Sequence, residues 1–417
     1  MASGGPPHGE TPDRLGEPVR GRRSNSAPPQ VGHLGSYIRY SDDPPGQGAL
    51  ASGTDAGAPL RGGTARERGL GFGEAQRAAV ERTLVAYERL FREAGGLDCA
   101  AVRSFGERVG ERLGAEHPEA HEEIAAIARG ACVDEPLLMA VNARTELLAG
   151  ATPPECSAIG VLPERCGGRT LLAQNWDWHP DLRESVVLWT IVEPDGRWLV
   201  TMTEAGILAK IGLNSRGLGL CVNILNCSAD GGPGGIPVHV LMRLLLRRCG
   251  AAAAAGALLE ASEVSGSSCF NVGSPGALAC YEVSPAGLAR IEPEDGVLLH
   301  TNHFLEPSGD AEEIHRLDSP STRVRLEELD RRVRSAPGQL DAAAVKDALR
   351  SHDAGPNGVC CHDPDNERYA DRTETLVSVC LDLEQLRFEI SEGAPCGAPY
   401  REVLTPGAAA PPEPQPF

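Results

Sequence analysis

The sequence predicts an α+β fold in which antiparallel sheets pack between helical layers, with a helical segment in front of them. Three observations lead to this class. Apolar residues recur at helical spacing before Cys156, and from Cys156 onward short apolar runs alternate with turn residues. Strands and helices then follow in consecutive blocks, whereas a parallel fold would alternate one strand with one helix.

Helical periodicity is clearest from Glu74 to Glu93, and the pair Gly95-Gly96 marks the end of that helix. Further helices before Cys156 are predicted at about 98–113, 118–130 and 134–148.

The region after Cys156 contains short apolar runs bounded by Gly, Pro, Asn and Asp. Strands are predicted at about 157–162, 170–173, 185–192, 198–203, 211–214, 218–223, 268–272, 278–283, 288–291, 297–301, 375–381 and 387–391. Helices are predicted at about 237–248, 251–261, 320–334 and 341–350.

Composition divides the chain of 417 residues into four parts. Residues 1–68 are rich in Gly, Pro, Ser and charge, so they bury too little apolar surface to offset chain entropy, and we predict a disordered leader. A helical segment over 69–155 and a sheet domain over 156–404 follow. Residues 405–417 have the composition of a second disordered tail.

Charge and cysteine usage exclude several classes of function. With 39 basic and 58 acidic side chains the formal charge is −19, which opposes binding to nucleic acid. Thirteen cysteines without a repeated CxxC spacing favour a reduced, cytoplasmic protein. The first thirty residues lack the apolar core of a signal peptide, and no apolar run reaches the length of about 18 residues that a membrane span needs. We therefore expect no membrane partner.

The common nucleotide and hydrolase signatures are missing. The glycine-rich stretches Gly69 to Gly73 and Gly231 to Gly235 match neither GxGxxG nor GxxxxGK[ST], and we predict loops at both. The serine-rich stretch 266–269 lacks the second glycine of a GxSxG elbow.

Two groups of metal-ligand residue types are weak candidates. His117 and His121 have the spacing of a zinc helix, but Pro118 stands where the catalytic glutamate would be. The segment 360–365 contains two cysteines, one histidine and two aspartates without a second half-site, so we predict a plain loop there. No metal site is expected.

Cys156 is the candidate nucleophile because of its position. It lies where an acidic segment with two prolines meets the first predicted strand. A lone cysteine is more often a small buried apolar residue, and we assign that role to Cys221, Cys269, Cys280 and Cys380 within apolar strands.

Over about residues 75–400 the chain resembles the penicillin acyltransferase family of N-terminal-nucleophile hydrolases. Five stretches carry the resemblance: 122–131 (EEIAAIARGA) with 142–146 (NARTE), 156–158 (CSA), 174–178 (QNWDW), 300–304 (HTNHF) and 393–396 (GAPC). The resemblance implies an αββα sandwich, self-cleavage between Glu155 and Cys156, and a helical propeptide or small chain (69–155) that stays bound to the catalytic domain (156–404).

The resemblance also implies roles in the site. Cys156 would be the nucleophile, with its freed α-amino group as the base, and Asp177 would hold that amine. Asn302 and Asn223 would donate hydrogen bonds to the oxyanion. Arg323 would lie near the nucleophile and lower the pKa of the thiol.

Each of these last residues has a second interpretation from the sequence alone. Asp177 and Asn223 suit ordinary turns, and Arg323 suits the surface of a helix. Two departures from the family pattern stand out: Glu155 occupies a position where Gly is common, and Gln174 replaces the Arg usual in bile salt hydrolases and penicillin V acylases.

The predicted chemistry is acyl transfer at a C–N amide through a Cys156 thioester, on a small-molecule amide or amine of natural-product metabolism. It needs no metal or organic cofactor, and acyl-coenzyme A is a candidate substrate. The sequence leaves hydrolysis and transfer open. The alternatives are an uncut, non-catalytic binding protein on the same fold and a secreted acylase, which the lack of a signal peptide opposes.

Overall fold

The computed structural model describes residue 1 and residues 60–61, 63–151, 155–306, 309–314, 321–355 and 358–406; for 60, 61 and 155 it describes the backbone alone. Most of the predicted leader, and the predicted tail from residue 407 onward, lie outside the described residues. The end of the leader differs from the prediction, because a helix begins at Ala65. Thr64 and Glu67 bond each other's backbone N–H groups there and form a capping box.

The N-terminal helices pack on one another and enclose part of the core. In chain order they are α1 Ala65–Ala75, α2 Arg77–Glu93, α3 Cys99–Glu116, α4 Pro118–Ala131, α5 Glu135–Asn142 and α6 Arg144–Leu147. The helices predicted between residues 74 and 148 are confirmed. The loop predicted at Gly69 to Gly73 is wrong, since these residues lie inside α1.

Glycine is required where α1 crosses α4. A Cβ atom added to Gly73 would lie 2.3 Å from the carbonyl oxygen of Ile127, and one added to Gly130 would lie 2.4 Å from that of Leu70. The two backbones approach too closely for any larger residue. Tertiary packing therefore overrides the weak helix propensity of the glycine-rich sequence.

The same substitution should have opposite effects at two helical glycines. Gly130→Ala is expected to destabilise the protein by about 1–3 kcal/mol because the new methyl group overlaps the backbone of α1. Gly114→Ala in α3 meets nothing closer than 3.9 Å and should stabilise it by up to about 1 kcal/mol. Chemical denaturation measures both, and equal effects would contradict the close crossing of α1 and α4.

The remaining elements build the sheet domain. The strands are β1 Leu60–Arg61, β2 Glu155–Val161, β3 Leu171–Trp178, β4 Val186–Val192, β5 Trp198–Glu204, β6 Ile211–Asn214, β7 Gly219–Ile224, β8 Ser268–Ser274, β9 Ala277–Ser284, β10 Gly287–Ile291, β11 Val297–His300, β12 His362–Asp363, β13 Thr373–Asp382, β14 Arg387–Glu392 and β15 Tyr400–Val403. The helices are α7 Val238–Arg248, α8 Ala252–Glu260, α9 Ser321–Leu329 and α10 Ala342–Leu349. A π-helical turn, Asp330–Arg334, continues α9.

The strands form two sheets that pack face to face. Within the described residues, one sheet has the order β1-β4-β5-β6-β7-β8-β9-β10, and the other has the order β11-β2-β3-β13-β14-β15 with β12 beside β13. The side-chain amide of Gln174 in β3 crosses the interface, because it accepts from the backbone N–H of Val222 in β7 at 2.9 Å and donates to the carbonyl of the same residue at 2.5 Å.

Helices cover both outer faces. Helices α7 and α8 pack on the first sheet, while α9 and α10 pack on the second. The N-terminal helices lie beside α7, where Phe72 packs against Trp189 of β4 with ring centroids 4.2 Å apart. The predicted αββα sandwich is confirmed.

Two details differ from the predictions. Strands β1, β12 and β15 were not predicted, since each has at most four residues and too few apolar positions to show a period. Cys269 and Cys280, predicted as separate buried thiols, are joined in a disulfide between β8 and β9.

None of the helices in the described part of the chain combines the length and apolar composition that a membrane span requires.

Candidate active site

Cys156 lies in β2, between β11 and β3, and is buried with 4% of its surface exposed. Three side chains hold its backbone. Its N–H donates to Oδ1 of Asn302 at 2.7 Å, and its carbonyl accepts from Nδ2 of Asn223 at 3.1 Å and from Nη1 of Arg325 at 2.5 Å. Residue 156 is thus fixed on both sides of its Cα atom.

Asn302 reaches Cys156 because β11, which it follows, pairs with β2. The orientation of its amide is determined by its neighbours: a backbone N–H only donates, so Oδ1 must face Cys156, and Nδ2 donates to the carbonyl of Ile224 at 3.0 Å. In the intact chain Asn302 therefore holds the nitrogen of Cys156. The role of oxyanion donor that the family resemblance implies for this side chain would require its Nδ2 to leave the carbonyl of Ile224.

Asn223 comes from the opposite sheet, near the end of β7. Its Nδ2 donates to the carbonyl of Cys156, while its Oδ1 accepts from Nδ2 of Asn271 in β8 at 2.7 Å. Asn271 lies close because β7 and β8 are paired strands. The predicted Asn223 is brought into the site, and Asn271, which the sequence did not indicate, orients it.

The predicted arginine is corrected from Arg323 to Arg325. Arg323 is exposed, whereas Arg325 is fully buried. Besides the carbonyl of Cys156, the Arg325 guanidinium donates to Oγ of Ser157 at 3.0 Å and to Oδ1 of Asn302 at 3.2 Å. This fork links β2 to the loop after β11.

Asp177 lies on β3 with its Cα opposite Glu155, the residue before the expected cut. It is 1% exposed, and its Oδ1 accepts from Oγ1 of Thr375 in β13 at 2.5 Å. The structure therefore brings together Cys156, Asp177, Asn223 and Asn302 of the predicted set. Arg325, Ser157 and Thr375 join them.

Burial raises the pKa of the Cys156 thiol to about 12, and the carboxylate of Asp177 acts in the same direction. The backbone N–H of Asp177 and the cations Arg325 and Lys210 oppose this rise. In the intact chain the thiol is therefore neutral at ordinary pH.

A buried charged cluster, which the sequence did not indicate, lies beside this site. It consists of Tyr87, Arg144, Glu204 and Lys210. Glu204 forms ion pairs with Lys210 and, at 3.7 Å, with Arg144, and it accepts from the Tyr87 hydroxyl at 2.5 Å. The ammonium of Lys210 lies 3.8 Å from the ring centroid of Trp176, the residue paired with Cys156 across β2 and β3.

The charges in this cluster depend on one another. Burial lowers the pKa of Lys210 to about 7, and repulsion from Arg144 adds to that effect while Glu204 opposes it. Burial favours the neutral form of Glu204, but Lys210 and Arg144 outweigh it and hold its pKa below the ordinary value. Glu204 is thus the anion that keeps two buried cations in place.

The stretch 142–146, which carried part of the family resemblance, connects the N-terminal helices to the sheet domain. Asn142 donates to the carbonyl of Gly206 at 2.8 Å and accepts from the N–H of Leu208 at 3.0 Å. Glu146 accepts from the N–H of Val238 at the start of α7 at 2.8 Å, and burial raises its pKa to about 7. These contacts join residues on opposite sides of the expected cut.

Residues 164–396 match the profile of the family described as acyl-coenzyme A:6-aminopenicillanic acid acyl-transferase. The chain belongs to this acyl-transferase family. The matched segment contains Asp177, Asn223, Asn302 and Arg325, and it begins after Cys156.

One curated relative in this family is the 40 kDa form of the acyl-coenzyme A:6-aminopenicillanic-acid-acyltransferase of Emericella nidulans. It is 31% identical over 215 residues, which cover 51% of this chain and 60% of the relative. The chain therefore spans about three fifths of the length of this family member.

Solved structures of two amide hydrolases are similar at a low level. The C2A mutant of the conjugated bile acid hydrolase of Clostridium perfringens has a TM-score of 0.38 and 12% identity, over 60% of this chain and 97% of the other. Penicillin V acylase of Agrobacterium tumefaciens has a TM-score of 0.40 and 13% identity, over 57% and 83%. The fold assigned to the present chain rests on its own two sheets and not on these two structures.

Proposed function

We propose that this chain is an enzyme that cuts itself before Cys156 and then transfers acyl groups through a thioester on that residue. The observation that carries the proposal is the set of contacts around Cys156: a buried cysteine whose backbone nitrogen and carbonyl are both held by side chains from other elements. Any buried residue needs partners for its backbone N–H and C=O, but within a sheet these partners are mostly other backbone groups, whereas Cys156 has side-chain partners from three separate segments. Membership of an acyl-transferase family supports the same chemistry.

The self-cleavage step balances without a cofactor. The Cys156 sulfur attacks the carbonyl carbon of Glu155, the C–N bond breaks, and the amide nitrogen of Cys156 takes the thiol proton. Residues 1–155 are then joined through the carbonyl carbon of Glu155 to the sulfur of Cys156 as a thioester. Water hydrolyses the thioester and leaves a carboxylate on Glu155 and a free amine and thiol on Cys156.

The α-amine released in this step is the proposed base of later turnovers. Its reference pKa is about 7.7–8.0, so it accepts the thiol proton at neutral pH and returns it to a leaving amine. Oδ1 of Asn302, the acceptor of the intact amide N–H, would accept from this amine as well. Asp177 and Arg325 would act as positioning residues, and Asn223 as the amide donor nearest to the Cys156 carbonyl.

The proposed substrates are small-molecule amides or amines of natural-product metabolism, with acyl-coenzyme A as a candidate thioester donor and no cofactor. If water accepts the acyl group the enzyme is an amidase, and if an amine accepts it the enzyme is an N-acyltransferase. The two cut chains would remain bound, because the contacts of Asn142 and Glu146 do not depend on the peptide bond before Cys156. The domain boundary proposed with this function lies between Glu155 and Cys156.

The test is the intact mass of the purified chain under denaturing conditions. We expect two fragments that separate between Glu155 and Cys156, and a single uncut chain for Cys156→Ala. Cys380→Ala serves as the matched control, since Cys380 is also buried in the second sheet but is predicted to have only a packing role. A single chain in the wild type would favour the uncut binding protein instead, and cleavage in Cys156→Ala would show that Cys156 does not perform the cut.

We also propose that the enzyme acts in the cytoplasm. Eleven cysteines are free thiols in the described part of the chain, and Cys269–Cys280 is the disulfide found there. A reducing compartment keeps so many thiols free. Fractionation of source cells tests the location, and recovery from a secreted fraction would contradict it.

A further inference from the structure

Four side chains with metal-ligating atoms converge at one end of the second sheet, beside the start of β13. They are His352, Cys360, His362 and Cys396, and their ligand atoms all lie within 4.8 Å of one another. His352 follows α10, Cys360 lies just before β12, and His362 lies in β12. Cys396 lies in the turn between β14 and β15. The sequence suggested a plain loop at 360–365, because half of this set lies elsewhere in the chain.

The contacts around His362 are too many for hydrogen bonds. Its Nε2 lies 3.3 Å from Nε2 of His352, 3.4 Å from Sγ of Cys360 and 3.3 Å from Sγ of Cys396. An imidazole nitrogen has either one hydrogen or one lone pair, so it satisfies one such partner. A cation at the centre of the four atoms would satisfy all of them at once.

The distances agree with the edges of a zinc tetrahedron. For zinc bonded to nitrogen at about 2.1 Å and to sulfur at about 2.3 Å, the edges are about 3.4 Å between nitrogens and about 3.6 Å between nitrogen and sulfur. The three measured separations are each within about 0.3 Å of these values. Two thiolates and two imidazoles also suit zinc and disfavour magnesium or calcium, which prefer oxygen ligands.

Two hydrogen bonds that need no ion hold the three segments in position. The N–H of Cys360 donates to the carbonyl of Ser351, next to His352, at 3.0 Å. Arg350 donates through Nε to the carbonyl of Pro395, next to Cys396, at 3.0 Å. The ligands are therefore brought together by the fold, as a preformed site requires.

We propose that His352, Cys360, His362 and Cys396 bind one structural Zn²⁺ ion. Four protein ligands close the tetrahedron, so the ion would stabilise the fold and would not bind substrate. The proposal is independent of the proposed function, since all four ligands lie after the expected cut and none contacts Cys156 in the described structure.

The proposed zinc site is connected to Asp177. The N–H of Cys361, between two of the ligands, donates to Oγ1 of Thr375 at 2.9 Å, and that hydroxyl donates to Oδ1 of Asp177 at 2.5 Å. The N–H of Thr375 in turn donates to the carbonyl of Cys361 at 3.1 Å. A bound ion would thus fix the segment that orients Asp177.

A second group of Cys and His residues lacks free ligand atoms. Cys269 and Cys280 are joined as a disulfide. His300 uses Nε2 with Glu282 at 2.8 Å and Nδ1 with the carbonyl of Thr301 at 2.6 Å. This group provides an internal comparison and is not proposed as a metal site.

The first experiment measures zinc in the full-length protein after purification under reducing conditions without chelators. We expect about one zinc ion per chain. Cys396→Ser should lower bound zinc at least about tenfold, because it removes a direct ligand. Cys132→Ser, at another exposed free cysteine, should leave zinc unchanged.

A second measurement does not depend on the folding of any variant. Wild-type protein is stripped with a chelator and titrated with Co²⁺, whose thiolate bonds give a charge-transfer absorption. Saturation at one equivalent with tetrahedral d–d bands supports the site. Absence of both zinc and the cobalt bands in reduced protein, or equal zinc in Cys396→Ser and wild type, would overturn the proposal, as would a Cys360–Cys396 disulfide that persists in reductant.

Discussion

Replacing Arg325 by Met is expected to slow self-cleavage by about 100-fold, because Cys156 would no longer be held in position. The guanidinium donates to the carbonyl of Cys156 and to Oδ1 of Asn302, and this Oδ1 also accepts from the N–H of Cys156. Arg325 thus supports Cys156 on both sides of its Cα atom. Methionine fills a similar volume but donates no hydrogen bond, so both acceptors lose a charged partner, each contact being worth about 1.5–3 kcal/mol. The rate is followed as loss of uncut chain after translation or refolding.

Arg323→Met is the matched control, since it makes the same chemical change two residues earlier on the same helix at an exposed position. It should cut at the wild-type rate. Arg325→Lys keeps the charge without the planar fork and should recover part of the rate. If Arg323→Met is the slow variant, the correction to Arg325 is wrong; if neither is slow, no arginine of this helix positions Cys156.

The choice between Arg323 and Arg325 illustrates what the sequence did not determine. Both arginines lie in one short motif, and two residues turn a helix by more than half a revolution. Val324 is apolar but exposed, so the apolar residues alone do not show which face of this helix is buried. The useful signal was the phase set by Ser321 and Thr322, because Arg325 lies four and three residues after them on the same buried face.

Other parts of the site depend on pairing that no local pattern reveals. Asn302 was predicted from the family resemblance, because it lies in the stretch 300–304 that carries that resemblance. Asn271 orients Asn223 only because β8 is the neighbour of β7. The four proposed zinc ligands meet only because α10, β12 and the turn after β14 reach the same end of the second sheet. The layers of the fold were predictable from periodicity, whereas these contacts between distant segments were not.

The buried cluster beside Trp176 was missed for a different reason. Glu204 and Lys210 are residue types that normally remain in water, so the sequence gave no reason to bury them. Both are 1% exposed or less, and they are buried together with Arg144. Their mutual neutralisation is a property of the folded state.

Glu204→Leu is expected to lower the free energy of unfolding by about 3–5 kcal/mol at neutral pH. The substitution leaves the buried guanidinium of Arg144 without its carboxylate partner, and Lys210 must either lose its proton or stay buried as an unpaired cation. Glu107→Ala, which breaks an exposed pair with Arg103 at 2.9 Å, should cost less than about 1 kcal/mol. Chemical denaturation of the uncut Cys156→Ala background measures both without interference from cleavage.

The cost of Glu204→Leu should depend on pH in a direction that identifies Lys210. With Glu204 present the folded pKa of Lys210 is about 7, and without the carboxylate it falls further. At pH values between the Lys210 pKa of the folded variant and 7, Lys210 is deprotonated in the folded variant but protonated in the unfolded chain, so the stability of the variant rises with pH. In the folded wild type Lys210 keeps its proton over this range and contributes no such rise. The difference in free energy of unfolding between the two proteins is therefore largest at pH values below the Lys210 pKa of the variant, and it narrows toward about pH 7. Adding Lys210→Met removes the titrating group, so the double variant should recover part of the lost stability. The difference in unfolding free energy between the double variant and the wild type should no longer narrow toward pH 7 through Lys210. If the same narrowing persists with Lys210→Met in place, another group causes it.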